Sequence, residues 1–121
     1  MKKILLAECD SFLINVYANQ MRKSGYGVDF ALDGELVLSK IKENNPDLLI
    51  LDVVLPKING WEVLRIIKED LKLKNLKVAM LADLSKKEDI ERSLNMGAVK
   101  YFVKTEYTSQ DLVREINIII G

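Results

Sequence analysis

The sequence predicts an α/β protein in which a five-stranded parallel sheet carries helices on both faces. Five short apolar runs recur along the chain, each suited to a buried strand. The predicted strands are Ile4 to Ala7, Val28 to Leu32, Leu48 to Leu51, Val78 to Leu81, and Tyr101 to Val103. The stretches between them repeat apolar residues at helical spacing. Because parallel strands need crossover connections, and the connections here are helical, this alternation indicates a parallel sheet covered on both sides.

The run from Leu48 to Leu55 also supports a parallel sheet. Seven of its eight residues are apolar, which is typical of a central strand buried on both faces. The eighth residue is Asp52. In open α/β sheets, ligands bind beyond the carboxyl ends of the strands, so the position of Asp52 alone makes it a candidate site residue. The alternative is that Asp52 only caps the strand or the following turn.

Capping residues mark the predicted ends of the helices. Asn59, Ser85 and Thr108 each precede an acidic residue by three positions, a spacing that favours a helix start. Gly97 predicts the end of the fourth helix. The last helix is predicted to bury Leu112, Val113, Ile116, and Ile119 or Ile120. Ile118 lies outside this stripe, which suits either a partner surface or an exposed terminus.

Composition limits the function classes. A length of 121 residues suits one domain, and we expect residues 1–121 to form it. Eighteen basic and eighteen acidic residues give no net charge, which disfavours direct nucleic-acid binding. One cysteine and no histidine exclude an intramolecular disulfide, a Cys/His zinc site and histidine-dependent triads. With no apolar run suited to export or membrane crossing, we expect a cytoplasmic protein without membrane contact.

Chemistry-bearing side chains follow four of the predicted strands. They are Glu8, Cys9, Asp10, Asp52, Asp83 and Lys104. The carboxyl ends of parallel strands meet at one edge of a sheet, so we expect these side chains to form one pocket. Its acids would suit a hard divalent cation, and its lysine could neutralise a carboxylate or a phosphoryl group.

Several segments carry the pattern of a known family. They are Ile4 to Asp10, Gly25-Tyr26, Asp33-Gly34, Pro46 to Gly60, Gly97-Ala98, and Tyr101 to Lys104. The most specific part runs from Asp52 through Leu55-Pro56 to Asn59-Gly60. Through these segments the whole chain resembles the receiver domain of bacterial two-component response regulators. The resemblance implies the flavodoxin-like strand order 2-1-3-4-5 and a signalling function rather than an enzymatic one.

The resemblance also implies roles for individual residues. Asp52 matches the phosphoacceptor, a carboxylate that takes a phosphoryl group from a histidine kinase or a phosphotransfer protein. Lys104 matches the lysine that contacts this aspartate and the phosphoryl oxygens. Glu8, Asp52 and the backbone of Val54 match the Mg²⁺ site, with Asp10 as a further candidate ligand.

Three positions depart from the family pattern. Cys9 replaces the second metal-binding acid, and because a thiol is a poor ligand for a hard cation, we expect weak Mg²⁺ binding. Ala82 replaces the Thr or Ser whose hydroxyl couples the phosphoryl group to the switch aromatic, which Tyr101 matches. Asp83 replaces a small residue and adds negative charge at the pocket entrance. These departures leave the phosphorylation of Asp52 an open question.

Two functions therefore stay open. One is a receiver phosphorylated at Asp52 with weakened metal and switch chemistry, and the alternative is a pseudo-receiver that works by protein contact alone. In both, the face formed by helix 4, strand 5 and helix 5 is expected to bind a downstream protein or a second copy. A haloacid-dehalogenase-type phosphatase needs an acid where Val54 stands. A flavodoxin is disfavoured by the acidic loop Glu8 to Ser11.

Overall fold

The computed structural model describes residues 1–121, in which strands and helices alternate along the chain. The strands are β1 (Lys3–Ala7), β2 (Gly27–Ala31), β3 (Leu48–Asp52), β4 (Lys77–Ala82) and β5 (Lys100–Val103). The helices are α1 (Ser11–Lys23), α2 (Gly34–Asn44), α3 (Gly60–Glu69), α4 (Lys87–Asn95) and α5 (Ser109–Ile120). All strands pair in parallel in the order β2-β1-β3-β4-β5. The predicted fold class and strand order are confirmed.

The strand order reverses between β1 and β3, so the carboxyl ends of these two strands border the expected ligand crevice. β3 is buried at every position, as its apolar run predicts. The strand is shorter than that run, however, because it ends at Asp52 and the chain then turns towards α3. Val54 consequently lies in the loop, with its side chain exposed.

Successive side chains of each strand point to opposite faces of the sheet and pack into two apolar cores, one on each face. Leu5, Leu49 and Leu51 face the core that α2 and α3 cover, while Leu6 and Ile50 face the core under α1 and α5. Burial of both faces explains why the inner strands β1, β3 and β4 are apolar except at one terminal residue each. None of the five helices combines the length and the apolar composition that a membrane crossing requires.

Two of the three predicted helix caps are confirmed. The Asn59 side chain accepts a hydrogen bond from the Glu62 N–H, and Thr108 forms a reciprocal capping box with Asp111. The prediction for Ser85 is wrong, because α4 begins at Lys87 and its cap position is occupied by Lys86, whose side chain caps nothing.

The predicted helix end and the core stripe of the last helix are both confirmed. Gly97 follows α4 with φ +104°, a left-handed conformation that glycine adopts without strain. In α5, Ile116 and Ile120 are buried whereas Ile118 is 79% exposed.

Gly60 allows α3 to start directly against the end of β3. Its N–H donates to the Val53 carbonyl at 2.9 Å. A Cβ atom on this residue would lie 2.2 Å from the Asp52 carbonyl oxygen and 2.8 Å from Val53 Cα. Both contacts involve backbone, so no side-chain movement could relieve them. Only glycine therefore allows α3 to start this close to the backbone that carries Asp52.

We expect Gly60→Ala to lower the free energy of unfolding by about 2 kcal/mol or more, since the added methyl group meets the backbone of β3. Gly27→Ala is the matched control, because its Cβ would meet mainly the flexible Met1 side chain, whose Sδ atom lies 3.0 Å away. Urea unfolding of both variants measures the difference. An equally small loss in the two variants would contradict the proposed role of Gly60.

Candidate functional site

The Lys104 ammonium group lies among three carboxylates at the carboxyl edge of the sheet. Its Nζ atom is 2.6 Å from Asp52 Oδ2, 3.1 Å from Glu8 Oε2 and 3.6 Å from Asp83 Oδ1. The Lys104 backbone N–H donates to the Ala82 carbonyl, which holds the residue against the end of β4. The side chain of Lys104 is only 12% exposed. The structure thus brings three of the predicted carboxylates together around the predicted lysine.

Asp52 ends β3 with both carboxylate oxygens engaged. Oδ2 accepts a hydrogen bond from Lys104 Nζ, and Oδ1 accepts one from the Val54 N–H at 2.9 Å. The residue is buried. The Val54 N–H thus holds the Asp52 carboxylate, and the carbonyl oxygen is the group of the Val54 backbone that suits a cation.

Glu8 is the most deeply buried acid of the pocket, at 1% exposure. Its Oε1 accepts hydrogen bonds from the Asp10 N–H at 3.2 Å and from Lys104 Nζ at 3.4 Å. Its Oε2 lies near Lys104 Nζ without hydrogen-bonding geometry and has no other partner. The pKa of Glu8 is raised to about 7, mainly by burial and then by the neighbouring Asp52, while Lys104 lowers it by less.

Charge in the pocket also affects Lys104 and Cys9. Burial disfavours the ammonium form of Lys104, but the bonds to Asp52 and Glu8 outweigh this and hold its pKa above the ordinary value. Burial, followed by the charges of Glu8 and Asp52, raises the pKa of the Cys9 thiol. Although Cys9 is exposed, a protonated thiol is a weak nucleophile, which disfavours a redox role.

Asp10 has a structural role that the sequence analysis missed. Its Oδ1 accepts hydrogen bonds from the N–H groups of Phe12 and Leu13, so that it caps the start of α1. An aspartate directly before an amphipathic stretch is a recognised N-cap signal and could have predicted this. The structure thus assigns one oxygen of this candidate metal ligand to the helix.

Tyr101 and Ala82 lie on neighbouring strands beside the pocket. The Tyr101 side chain is 9% exposed, and its hydroxyl donates to the Leu84 carbonyl oxygen at 3.1 Å. Burial, followed by the charge of Asp89, raises the pKa of this tyrosine. Ala82 presents only a methyl group, which can neither donate nor accept a hydrogen bond.

The residues of the pocket fit Mg²⁺ poorly. Glu8 and Asp52 supply carboxylate oxygens, and the unpartnered Oε2 of Glu8 is a suitable donor. However, an ammonium group already lies between these two carboxylates, and Cys9 offers sulfur where a hard cation prefers oxygen. No three Asp, Glu or Cys side chains converge in a metal-binding arrangement.

Comparison with known proteins identifies the family. The family model of the response regulator receiver domain matches residues 4–117. This chain belongs to the response regulator receiver domain family. The receiver domain is 34% identical over 105 residues to the alkaline phosphatase synthesis transcriptional regulatory protein PhoP of Bacillus subtilis, across 85% of this chain and 42% of that protein. It spans less than half the length of the curated relatives compared.

Solved structures of receiver domains and response regulators have the same fold as this chain. A CheY-like receiver domain protein from Methanospirillum hungatei superposes with a TM-score of 0.88 at 26% identity, covering 98% of this chain and 92% of that one. The Mn²⁺-bound form of the response regulator Rcp1 superposes with a TM-score of 0.83 at 26% identity, covering 98% and 91%. Receiver domains are generally signalling modules of two-component systems rather than enzymes, as the sequence analysis expects for this one.

The raised pKa of Glu8 predicts that stability falls as pH rises. A buried carboxyl with a folded pKa near 7 holds its proton in the folded state at pH values where the unfolded chain has already lost it. In a chelating buffer, we expect the free energy of unfolding to fall between about pH 4.5 and pH 7, by no more than about 3 kcal/mol. Urea unfolding of the wild type and Glu8→Gln measures this, and the glutamine variant should lack the fall.

Lys104→Met provides the opposite test, because Lys104 lowers the pKa of Glu8. We expect the fall in stability to begin at the same pH, which the unfolded chain sets, but to extend to higher pH in this variant. At pH 7 we also expect a loss of about 3 kcal/mol, since a buried carboxylate loses its cation. Identical pH profiles for Lys104→Met and the wild type would show that Lys104 is not the counter-ion of this pocket.

Proposed function

We propose that this receiver domain works as a protein-interaction module whose conformation does not depend on phosphorylation of Asp52. The observation that supports this most is the state of Tyr101, which is buried with its hydroxyl bonded to the Leu84 carbonyl. In the family, a hydroxyl at the position of Ala82 links the phosphoryl group to this aromatic residue. With a methyl group there, a charge on Asp52 has no hydrogen-bonded route to Tyr101.

The proposed contact surface is the face of α4, β5 and α5. Leu94 on α4, Val99 just before β5 and Ile118 on α5 are all exposed, which favours burial against another protein. We propose that a downstream protein or a second copy of the chain binds here. The proposal places residues 1–121 in the cytoplasm as one non-enzymatic domain, without direct contact to nucleic acid or membrane.

Phosphorylation of Asp52 is the second candidate, and the position of Lys104 favours it. An ammonium group 2.6 Å from the carboxylate is suited to stabilise phosphoryl oxygens. In that reaction an Asp52 oxygen would attack phosphorus, the bond from phosphorus to the donor would break, and a mixed anhydride would form. The donor would be a histidine kinase or a phosphotransfer protein.

Any metal that assists this second function is proposed to bind weakly. Glu8, Asp52 and the Val54 carbonyl would hold Mg²⁺, with Asp10 as a further candidate. A relative, Rcp1, has been solved in a Mn²⁺-bound form, so members of the family do carry divalent cations. In this chain the thiol of Cys9 stands in place of an acid, which supports weaker binding.

Incubation with acetyl phosphate and Mg²⁺, followed by intact mass measurement, separates the two functions. We expect at most a trace of the phosphorylated species, because Asp83 repels an anionic donor and Cys9 weakens metal binding. Asp52→Asn is the control for the site of modification. Full conversion of the wild type that disappears in Asp52→Asn would establish the second function, and the leading proposal would then fail if Tyr101 and α4 respond to the phosphoryl group.

Cys9→Asp should tighten Mg²⁺ binding by about tenfold, because it restores a carboxylate ligand for a hard cation. Isothermal titration calorimetry of the wild type and the variant measures the affinity directly. Cys9→Ser is the matched control, since it supplies an oxygen of similar size without a charge. Equal Mg²⁺ affinities in the wild type and Cys9→Asp would mean that Cys9 does not weaken the site.

Ala82→Thr should increase the response of Tyr101 to a phosphoryl mimic, because it returns the missing hydroxyl. Beryllofluoride is added to the wild type and the variant, and amide chemical shifts are followed around Tyr101 and α4. We expect small, local shifts in the wild type and a concerted set in the variant. Ala82→Val controls for side-chain size. A concerted response already present in the wild type would show that Tyr101 remains coupled to Asp52.

A further inference from the structure

A small cleft opens beside the pocket, between the loop after β3, the loop after β4 and the start of α4. Its volume is about 220 Å³. The apolar part of its lining includes Val54, Trp61, Ala82, Leu84 and Tyr101. We call it the Tyr101 cleft. Ligand sites for drug-sized molecules are usually about 300–1,000 Å³, so this cleft suits one or two side chains rather than a nucleotide or a large cofactor.

Two carboxylates, Asp83 and Asp89, complete the lining of the Tyr101 cleft. Asp89 is half-buried, and its carboxylate has neither an ion pair nor a hydrogen bond within the chain. The charge of Asp89 acts on Tyr101 in the cleft wall, because it contributes to the raised pKa of that tyrosine. Asp83 is 73% exposed and forms an ion pair with Lys104, whose Nζ atom lies 3.6 Å from its Oδ1 atom. The cleft therefore combines apolar and aromatic walls with two carboxylates, of which Asp89 has no cationic partner within the chain.

No lysine or arginine of the chain lines the Tyr101 cleft. Lys104 is held by Asp52 and Glu8, on the pocket side of Asp83. Arg92 is the other nearby cation, and its guanidinium group lies over the Trp61 ring, 4.2 Å from the ring centroid. The Trp61 indole N–H donates to Ser93 Oγ at 3.1 Å, so the ring is held in place against α4. No cation of the chain therefore pairs with Asp89, so a cationic side chain of another protein would complement the charge of the cleft.

We propose that the Tyr101 cleft receives an arginine side chain of a partner protein, flanked by apolar residues. The chemistry follows from the lining: the methylene stem packs on apolar walls, the guanidinium plane stacks on an aromatic ring, and its N–H groups meet Asp89 and Asp83. Arginine suits this setting better than lysine, because its group is planar and more weakly hydrated. The proposal rests on the proposed function in protein contact and names the chemistry of the partner.

Trp61 is the only tryptophan of the chain and lines the cleft, so its fluorescence reports binding. The full chain is titrated with an acetylated and amidated tripeptide that carries arginine between two leucines. A second peptide replaces arginine by citrulline, which has the same shape without the charge. Amide chemical shifts locate the contact. We expect saturable changes confined to the cleft residues, and an affinity for the citrulline peptide that is weaker by about threefold or more.

Asp89→Asn and Glu88→Gln separate binding from helix stability. Both acids lie in the first turn of α4 and favour the helix dipole, but only Asp89 lines the Tyr101 cleft. We expect similar small losses of thermal stability in both variants. Binding of the arginine peptide should weaken by about threefold in Asp89→Asn and stay unchanged in Glu88→Gln. Equal binding in the two variants would show that Asp89 acts only on the helix and would overturn the proposal.

Two further outcomes would also overturn the proposal that the Tyr101 cleft receives an arginine side chain. If the arginine and citrulline peptides bind equally well, the cleft does not select a cation. If agmatine alone binds as tightly as the arginine peptide, the cleft is a site for a small cation and not for a protein segment. The peptide experiment is independent of the phosphorylation assay. A concerted response of Tyr101 to beryllofluoride in a domain that still binds the arginine peptide would refute the proposed function and leave the cleft proposal standing.

Discussion

The contact of the Lys104 ammonium group with Asp52, Glu8 and Asp83 is the interaction on which the rest of the site depends. Two of these carboxylates are almost completely buried. Two like charges about 4 Å apart repel by about 4 kcal/mol at an effective dielectric constant near 20, so the pair needs a cation. Lys104 compensates one negative charge. Glu8, whose pKa is raised to about 7, keeps its proton at lower pH and is then neutral. Cation and proton together let two acids share one buried position.

The strand order makes this contact possible. β1 and β3 are neighbours in the sheet, so Glu8 and Asp52 emerge side by side, whereas β5 lies beyond β4. Only a long side chain can reach from β5 past β4 to the other two strands. The Ala82 carbonyl anchors the Lys104 backbone at the end of β4 and sets the starting point of that reach. The pocket is therefore a direct product of the sheet topology.

The sequence predicts the parts of the structure that depend on local pattern. Apolar runs identify the five strands, and Asn59 and Thr108 mark helix starts, because period and cap chemistry act within a few residues. The sequence does not predict features that depend on contacts between distant parts of the chain. The spacing of Ser85 to Glu88 matches a cap, yet α4 starts at Lys87. The resemblance implies the contact of Lys104 with Asp52, but the Glu8 oxygen without a hydrogen-bond partner depends on how three strands pack together, which no local pattern encodes.

Two of the three departures from the family pattern, Cys9 and Asp83, change where negative charge lies more than how much there is. The resemblance implies an acid at the position of Cys9 and a small residue at the position of Asp83, so one carboxylate is lost and one is added. At the pocket entrance, the Asp83 carboxylate is 73% exposed and within 3.6 Å of Lys104. An acid at the entrance repels an anionic phosphodonor and attracts a cationic group, since both experience the same field. Asp83 also borders the Tyr101 cleft, beside the unpaired Asp89. One displaced charge thus disfavours phosphoryl transfer to Asp52 and favours an arginine beside Tyr101, so both proposed properties have a common electrostatic origin.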